Sequence, residues 1–344
     1  VLAARFEGPG DLRIGHQPDP IPGSGEVLVR IGAVGICATD LEVYHGTLSY
    51  FTSGQARYPI IPGHEWAGEI VGLGEGVRGF KIGDHVTGEC GMGCRACRIC
   101  LEGRHQLCPE RTETGILNRD GAFAELLAFP AVFLHRIDSA VPFPEACLIE
   151  PSAVANHAMY RAGVTPRDTV AVLGAGPIGL LTAQMARIHG ASAVLLFDTR
   201  PQRLALGREL GFTHTYDAAD PASMLDVRSL TGGGPSVVID ATGNPTALDL
   251  AVELAAAGGR IGAVGVCGGR RPTLDLDRLV TRELSLIGSL GSPNAWPSTI
   301  AMLGDNRLRT QPLISHLLPL SRLAEALALI EDRDPGVVKI VIQP

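Results

Sequence analysis

Cys94, Cys97, Cys100 and Cys108 stand at the spacing C-x2-C-x2-C-x7-C. Two-residue steps bring thiolates to tetrahedral spacing around one ion, and the longer loop returns the fourth. Four thiolates close the coordination shell, so a zinc held there has no open position and serves structure rather than chemistry. Arg95, Arg98 and Arg104 can offset the double negative charge of such a centre. An iron–sulfur cluster is also chemically adequate for four thiolates, and four unrelated thiols are the plain alternative. Cys90 and Cys147 fall outside the pattern and read as packed thiols.

A second pattern is Gly174-Ala175-Gly176-Pro177-Ile178-Gly179, a G-x-G-x-x-G. The first glycine makes a tight turn, the second lets a pyrophosphate approach the backbone, and the third lets a helix pack closely on a strand. Free N–H groups at that helix start form an anion site. The apolar run 170–173 before it is long enough for a buried strand and too short for a helix. A second buried strand, 193–197, ends at Asp198, whose carboxylate can accept from both ribose hydroxyls and would repel a 2′-phosphate. This predicts a dinucleotide site with NAD preferred over NADP, although Arg200 and Arg203 leave room for the latter. Arg203, one turn into the next helix, is a candidate for the adenosine ribose or phosphate, or else a solvated helix-face arginine. The plain alternative for the whole pattern is a glycine-rich turn that binds nothing.

Cys37, His64, Glu65 and Glu150 are dispersed, so spacing alone says little about them. A catalytic zinc wants three protein ligands and one open position, and a cysteine, a histidine and a glutamate supply that. Asp40 could accept the second ring N–H of a ligating histidine and fix the imidazole.

The elements that must position these residues follow from patterning. Residues 1–37 read as strands and turns, with 26–31 a half-buried strand that runs on to 37–40. A polar, aromatic loop over 41–58 follows, then turn-and-strand units at 60–72 and 77–86 with a hairpin-type turn at Gly83-Asp84. The first part is thus expected to be all-β, with 121–127 and 131–137 strand-like and a helical stretch over 144–162. Strand–helix alternation after 169 then predicts a doubly wound parallel sheet, its last strand at 284–288. Helices at 298–303 and 321–330 and a strand at 337–342 close the chain.

The 344 residues suffice for two domains with sizeable cores. A net charge of −7 without a basic block gives no reason to expect nucleic acid or an anionic membrane surface. There is no spanning apolar run and no signal-peptide layout, and the crowded cysteines suit a metal site in a reducing cytoplasm better than a disulfide framework.

Taken together, Gly63-His64-Glu65, Cys37-x-Thr39-Asp40, the lobe 94–108, Glu150-Pro151 and the glycine turn 174–179 resemble the zinc-dependent medium-chain dehydrogenase/reductase superfamily, in its polyol (sorbitol, threonine) branch. Asp240-Ala241-Thr242-Gly243-Asn244, Gly258-Gly259-Arg260-Ile261 and the ending Val337-Val338-Lys339-Ile340-Val341-Ile342 add to the resemblance, which covers essentially the whole length. It implies an α/β protein. A β-rich GroES-like catalytic domain would span 1–153 and 292–344, with a Rossmann NAD-binding domain at 154–291. It implies two Zn2+ per chain and NAD, with Cys37, His64 and either Glu65 or Glu150 on a catalytic zinc. Gly174, Gly176, Pro177, Ile178, Gly179, Asp198, Arg203, Thr242, Val264 and Gly265 would bind the cofactor.

By the same resemblance Thr39 would pass the alcohol proton onward, near Asp40. Many relatives carry a histidine two residues after that Asp. Glu42 stands there in this chain, so Glu42 or His45 becomes the candidate for continuing the relay. Another departure is Ser289-Leu290-Gly291-Ser292, where relatives often carry an aromatic. The implied reaction is oxidation of a secondary alcohol, or ketone reduction, on a polyol, cyclitol, aminocyclitol or hydroxy amino acid. The implied assembly is a homodimer or homotetramer. A primary-alcohol dehydrogenase would have favoured cysteine at position 150, and a non-catalytic NAD- and zinc-binding offshoot would have lost Cys37, His64 or both glutamates.

Overall fold

The computed structural model describes all 344 residues, which form two compact units. The first comprises Val1–Glu150, Gly291–Asp305 and Leu313–Pro344; the second comprises Pro151–Leu290 and Asn306–Pro312. Residues 306–312, expected in the catalytic domain, go with the second unit. The reason is local: the Gln184 side chain takes both backbone groups of Arg309, accepting from its N–H at 2.9 Å and donating to its carbonyl at 3.0 Å.

In the first unit the strand Glu26–Gly35 is central. Val27, Val29 and Ile31 alternate inward, so one face drives the strand into the core. It pairs antiparallel with Glu65–Leu73, with Leu126–Pro130 and with Lys339–Gln343. The sheet is completed by His85–Gly88 and Leu134–Arg136 at one side and Ile314–Pro319 at the other. The C-terminal strand therefore lies inside the N-terminal sheet, and all four residues Lys339–Ile342 are buried. Trp66 and Phe129 meet edge-on in this core, with centroids 5.0 Å apart. Fully burying a ring such as Phe129 contributes roughly 2 kcal/mol.

This unit is not all-β as expected. Residues Ala38–His45 form a helix rather than the end of a strand and a loop. Cys37 is its N-cap, and Asp40 at the third helical position accepts from the Cys37 N–H at 2.8 Å, a capping box closed by unusual residue types. The loop beyond carries a short helix, Ser49–Thr52, and the cysteine lobe another, Arg98–Leu101. Residues 121–125 are not a strand; the strand here is Leu126–Pro130, and 131–133 form a 3-10 turn before Leu134–Arg136. The second turn unit yields a strand only at His85–Gly88.

The second unit is a six-stranded parallel sheet in the order 214–217, 193–198, 169–173, 237–240, 260–263, 285–288. From Thr169–Leu173 the chain runs outward through 193–198 to the edge strand 214–217, then crosses back to 237–240 on the other side of 169–173, so the glycine turn opens at the point where strand order reverses. The strand His214–Asp217 and the helices Pro221–Thr231 and Leu276–Thr281 complete the alternation; their short or polar runs gave no clear periodicity. No helix is long and apolar enough to cross a membrane.

Candidate metal centres and dinucleotide site

The four lobe sulfurs converge. The ligand atoms of Cys94, Cys97, Cys100 and Cys108 all lie within 4.8 Å of one another, and none is in a disulfide. Cys94 and Cys100 Sγ are 4.0 Å apart, and Cys97 and Cys108 Sγ 3.9 Å. A tetrahedron with zinc–sulfur bonds of about 2.3 Å has edges of about 3.8 Å, so the donor set fits a zinc. Backbone N–H groups of Cys94 and Cys97 point at Cys108 and Cys94 Sγ, each at 3.4 Å. Hydrogen bonds from the Ala96 and Cys97 backbones bring the Cys94 thiol down to about 7, whereas burial pushes Cys100 up to about 12. Gly93 has no room for a side chain, since a Cβ there would lie 2.6 Å from Cys100 Sγ.

The dispersed residues are also brought together. The ligand atoms of Cys37, His64 and Glu65 lie within 4.8 Å of one another. Cys37 ends the turn after the central strand, while Glu65 opens the next strand and pairs in register with Gly35. His64 follows Gly63, whose φ of +95° and close approach to Phe123 (3.0 Å from a would-be Cβ) require glycine. Asp40 is fully buried and ties the pieces together. Its Oδ2 accepts from Cys37 N–H, its Oδ1 accepts from Gly63 N–H at 3.3 Å, and Oδ1 faces His64 Nδ1 at 3.6 Å. His64 Nδ1 has no well-formed hydrogen bond, and the ring supplies one nitrogen to the ligand group with Cys37 and Glu65. Burial alone would lower the His64 pKa, but the Asp40 charge together with hydrogen bonding to Asp40 and Cys37 outweighs it and raises it well above the usual range. A thiolate, an imidazole and a carboxylate converging in a buried site fit zinc with a position to spare.

Glu150, in the first turn of Ile149–Ala162, is buried beside this trio but outside its close ligand group. Burial, with Glu65 adding to it against the pull of His64, raises its carboxyl to about 7. The Cys37 thiol donates to Thr39 Oγ1 at 3.7 Å, which puts that hydroxyl next to the ligand set. Glu42 is half-buried, and burial raises its carboxyl pKa. His45 Nε2 is engaged by Glu331 at 3.1 Å, and its ring lies against Tyr44. Two residues stand closer to this site than their sequence suggests. Lys339 is buried and ion-paired with Glu65, and Cys90, read only as a packed thiol, is half-buried with His64 and Glu150 among its electrostatic neighbours. A lone cysteine and a lysine in a terminal strand give no local signal; only a lysine amid Val337-Val338 and Ile340-Val341-Ile342 is out of place for a core strand.

In the second unit Gly174 has φ +93° and donates its N–H to Phe197 at 2.8 Å. Gly176 caps the helix Pro177–Ile188, and a Cβ on Gly179 would lie 1.7 Å from the Gly174 carbonyl oxygen. Asp198 accepts from Ala175 N–H at 2.7 Å and from Arg200 N–H at 2.8 Å, which locks the acid beside the turn. Arg203 is 3.8 Å from Asp198, and its Nη1 would lie 3.5 Å from a Cβ on Gly176, so the guanidinium covers the turn. Thr242 donates its N–H and hydroxyl to Asp240 at 2.8 and 2.6 Å. Val264 and Gly265 donate to the Asp240 carbonyl at 3.0 and 3.1 Å, which brings the ends of two neighbouring strands together. This cradle at a strand-order reversal fits a dinucleotide.

Residues 23–139 match the alcohol dehydrogenase GroES-like domain, and residues 177–305 match the zinc-binding dehydrogenase domain. The sorbitol dehydrogenase of Bacillus subtilis (strain 168) is 30% identical over 346 residues, covering 100% of this chain and 97% of its own. Among solved structures, an E. coli CFT073 alcohol dehydrogenase complexed with NADH superposes with TM-score 0.91 at 28% identity, covering 100% of this chain and 99% of its own. A zinc-binding dehydrogenase from Sinorhizobium meliloti 1021, bound to NADP, gives 0.91 at 30% identity with the same coverage.

Proposed function

The chain belongs to the zinc-dependent medium-chain dehydrogenase/reductase family, the alcohol dehydrogenase superfamily, and on that premise we propose that it oxidises a secondary alcohol of a polyol-like substrate with NAD, or reduces the ketone. The observation that carries the reading is the convergence of Cys37, His64 and Glu65 in a buried site separate from the closed four-cysteine centre. When bound, zinc polarises the alcohol oxygen and lowers its pKa, and the nicotinamide accepts the hydride.

The chain's residues prepare both events. Cys37, His64 and Glu65 would hold the catalytic metal, with Glu150 as a further buried carboxylate beside them. Asp40 fixes the imidazole and, through two backbone N–H groups, the spacing of the two ligand-bearing turns. Thr39 would take the proton from the substrate hydroxyl and pass it toward solvent. With His45 engaged by Glu331, Glu42 is the better placed of the two relay candidates. Asp198 and Arg203 would bind the adenosine ribose, and the 174–179 turn the pyrophosphate. The polyhydroxylated substrate follows from the sorbitol dehydrogenase relative and from the polar side chains of the 41–58 segment. A homodimer or homotetramer in a reducing cytoplasm is part of the same proposal.

Zinc content per chain, with NAD reduction over a panel of polyols, cyclitols and simple alcohols, tests it on wild type and Cys37→Ala. Two zincs falling to one, with loss of turnover on a polyhydroxylated substrate, is the expected result. One zinc in both proteins and no turnover would replace this reading with a non-catalytic one.

A further inference from the structure

Lys339 is the one residue of the 337–342 ending that does not belong in a core strand, and its surroundings explain it. Its side chain is 3% exposed and the carboxylate it meets, Glu65, is 1% exposed. A buried ammonium is costly unless its charge and its protons are matched. Here Nζ donates to the Ile36 carbonyl at 2.8 Å and pairs with Glu65 Oε2. Ile36 immediately precedes Cys37, so one side chain grips both ligand-bearing segments. The backbone does the same: Ile36 N–H donates to the Ile340 carbonyl at 3.0 Å, and Val341 pairs in register with Gly35.

There is no slack in the arrangement. A Cβ on Gly35 would lie 2.2 Å from Glu65 Oε2 and 3.0 Å from Lys339 Cε, so the pair fills the space the glycine leaves. Glu65 has two oxygens, and the lysine occupies one. We propose that Lys339 is a positioning residue of the Cys37 centre: by holding Glu65 Oε2 it leaves a single carboxylate oxygen for the metal and so keeps a coordination position open for substrate. A second oxygen on the metal would enter as a fifth ligand against the position the reaction needs and crowd the substrate out of it. The same contact supplies a positive charge next to Cys37 and two buried carboxylates, Glu65 and Glu150.

The inference rests on the proposed metal role of Cys37, His64 and Glu65, and the experiment separates the two. Cobalt is placed in the Cys37 centre alone, with zinc left in the four-cysteine lobe. The visible absorption of the cobalt and the rate at which a chelator removes it are then read in wild type, Lys339→Met, Lys339→Gln and Lys339→Arg. Both neutral variants are expected to lose about half the absorption intensity, as the centre goes from four to five ligands, and to release the metal more slowly. Lys339→Arg is expected to keep the wild-type spectrum. Neutral variants that melt earlier but keep the wild-type spectrum and release rate would overturn the inference and make Lys339 a packing residue. If neither neutral variant folds, Lys339→Arg decides: a five-ligand spectrum there overturns the inference, and the wild-type spectrum supports it. A wild-type protein that takes cobalt only in the lobe would remove the metal reading itself, and the inference with it.

Discussion

The four-cysteine lobe and the Cys37 centre assemble their donors in opposite ways. The lobe takes all four sulfurs from one loop, 94–108, and its geometry is set by local turns and two backbone N–H···S contacts. The Cys37 centre takes its donors from two strand ends, its bracing from Asp40 and its countercharge from Lys339, near the other terminus. A local shell closes on itself and needs little from the rest of the fold. A dispersed shell is incomplete by construction, and each missing ligand is a place for chemistry. Removing a donor should therefore unfold the first and disarm the second.

The largest effect should come from Cys97→Ser. The lobe has little apolar core of its own, and structural zinc in small sites contributes on the order of 10 kcal/mol of folding free energy. Loss of one zinc equivalent and protease cleavage within 93–111 are expected, with the Cys37 centre still metal-loaded. If cleavage resistance persists without that zinc, the contrast fails. Cys37→Ala should do the reverse. Circular dichroism and melting temperature should stay close to wild type, because its sheet neighbours are held by core packing. Turnover should fall by about a thousandfold or more, since several kcal/mol of transition-state charge stabilisation is removed.

Asp40→Asn sharpens the comparison by leaving every donor in place. It removes the charge facing His64 and weakens both backbone clamps. Zinc affinity at the Cys37 centre should drop about 10–100-fold, with the lobe zinc unchanged, as read by chelator competition. Equal loss from both centres would mean that Asp40 merely holds the fold.

The smallest effect lies in the second unit, away from both metals. Asp168 accepts from Thr165 N–H at 2.7 Å, Thr165 Oγ1 at 2.9 Å and Ser236 Oγ at 2.7 Å, and it pairs with Arg260. Burial alone would raise its pKa, but these hydrogen bonds and Arg260 hold it below the usual carboxylate range. A lowered folded-state pKa gives stability that is present above the unfolded value near 4 and lost as pH falls through the folded one. Asp168→Asn should cost about 2 kcal/mol at neutral pH, a drop of several degrees in melting temperature. The gap between the two proteins should narrow as pH falls below the usual carboxylate range, and a gap that is constant with pH would remove the charge from the explanation.

Much of this was legible in the residues themselves. Thiolates two apart, or glycines at turn spacing with an acid one strand later, constrain geometry through the chain's own short connections. The lobe, the parallel sheet and the dinucleotide cradle could be read for that reason. The helix Ala38–His45 could not, because a cysteine is a poor advertisement for an N-cap and the apolar residues around it suit either element. Which carboxylate joins Cys37 and His64 was open in the sequence, since Glu65 and Glu150 are equally plausible donors by type. The strand register that sets Glu65 opposite Gly35 brings Glu65 into the ligand group and leaves Glu150 beside it. Lys339 is the extreme case. Its partner is hundreds of residues away, and no pattern in six apolar-flanked residues says that their strand will lie beside Glu26–Gly35. Local spacing determined what each segment can bind. Long-range strand pairing, driven by burial of the whole sheet, decided which donors meet and what charge stands behind them.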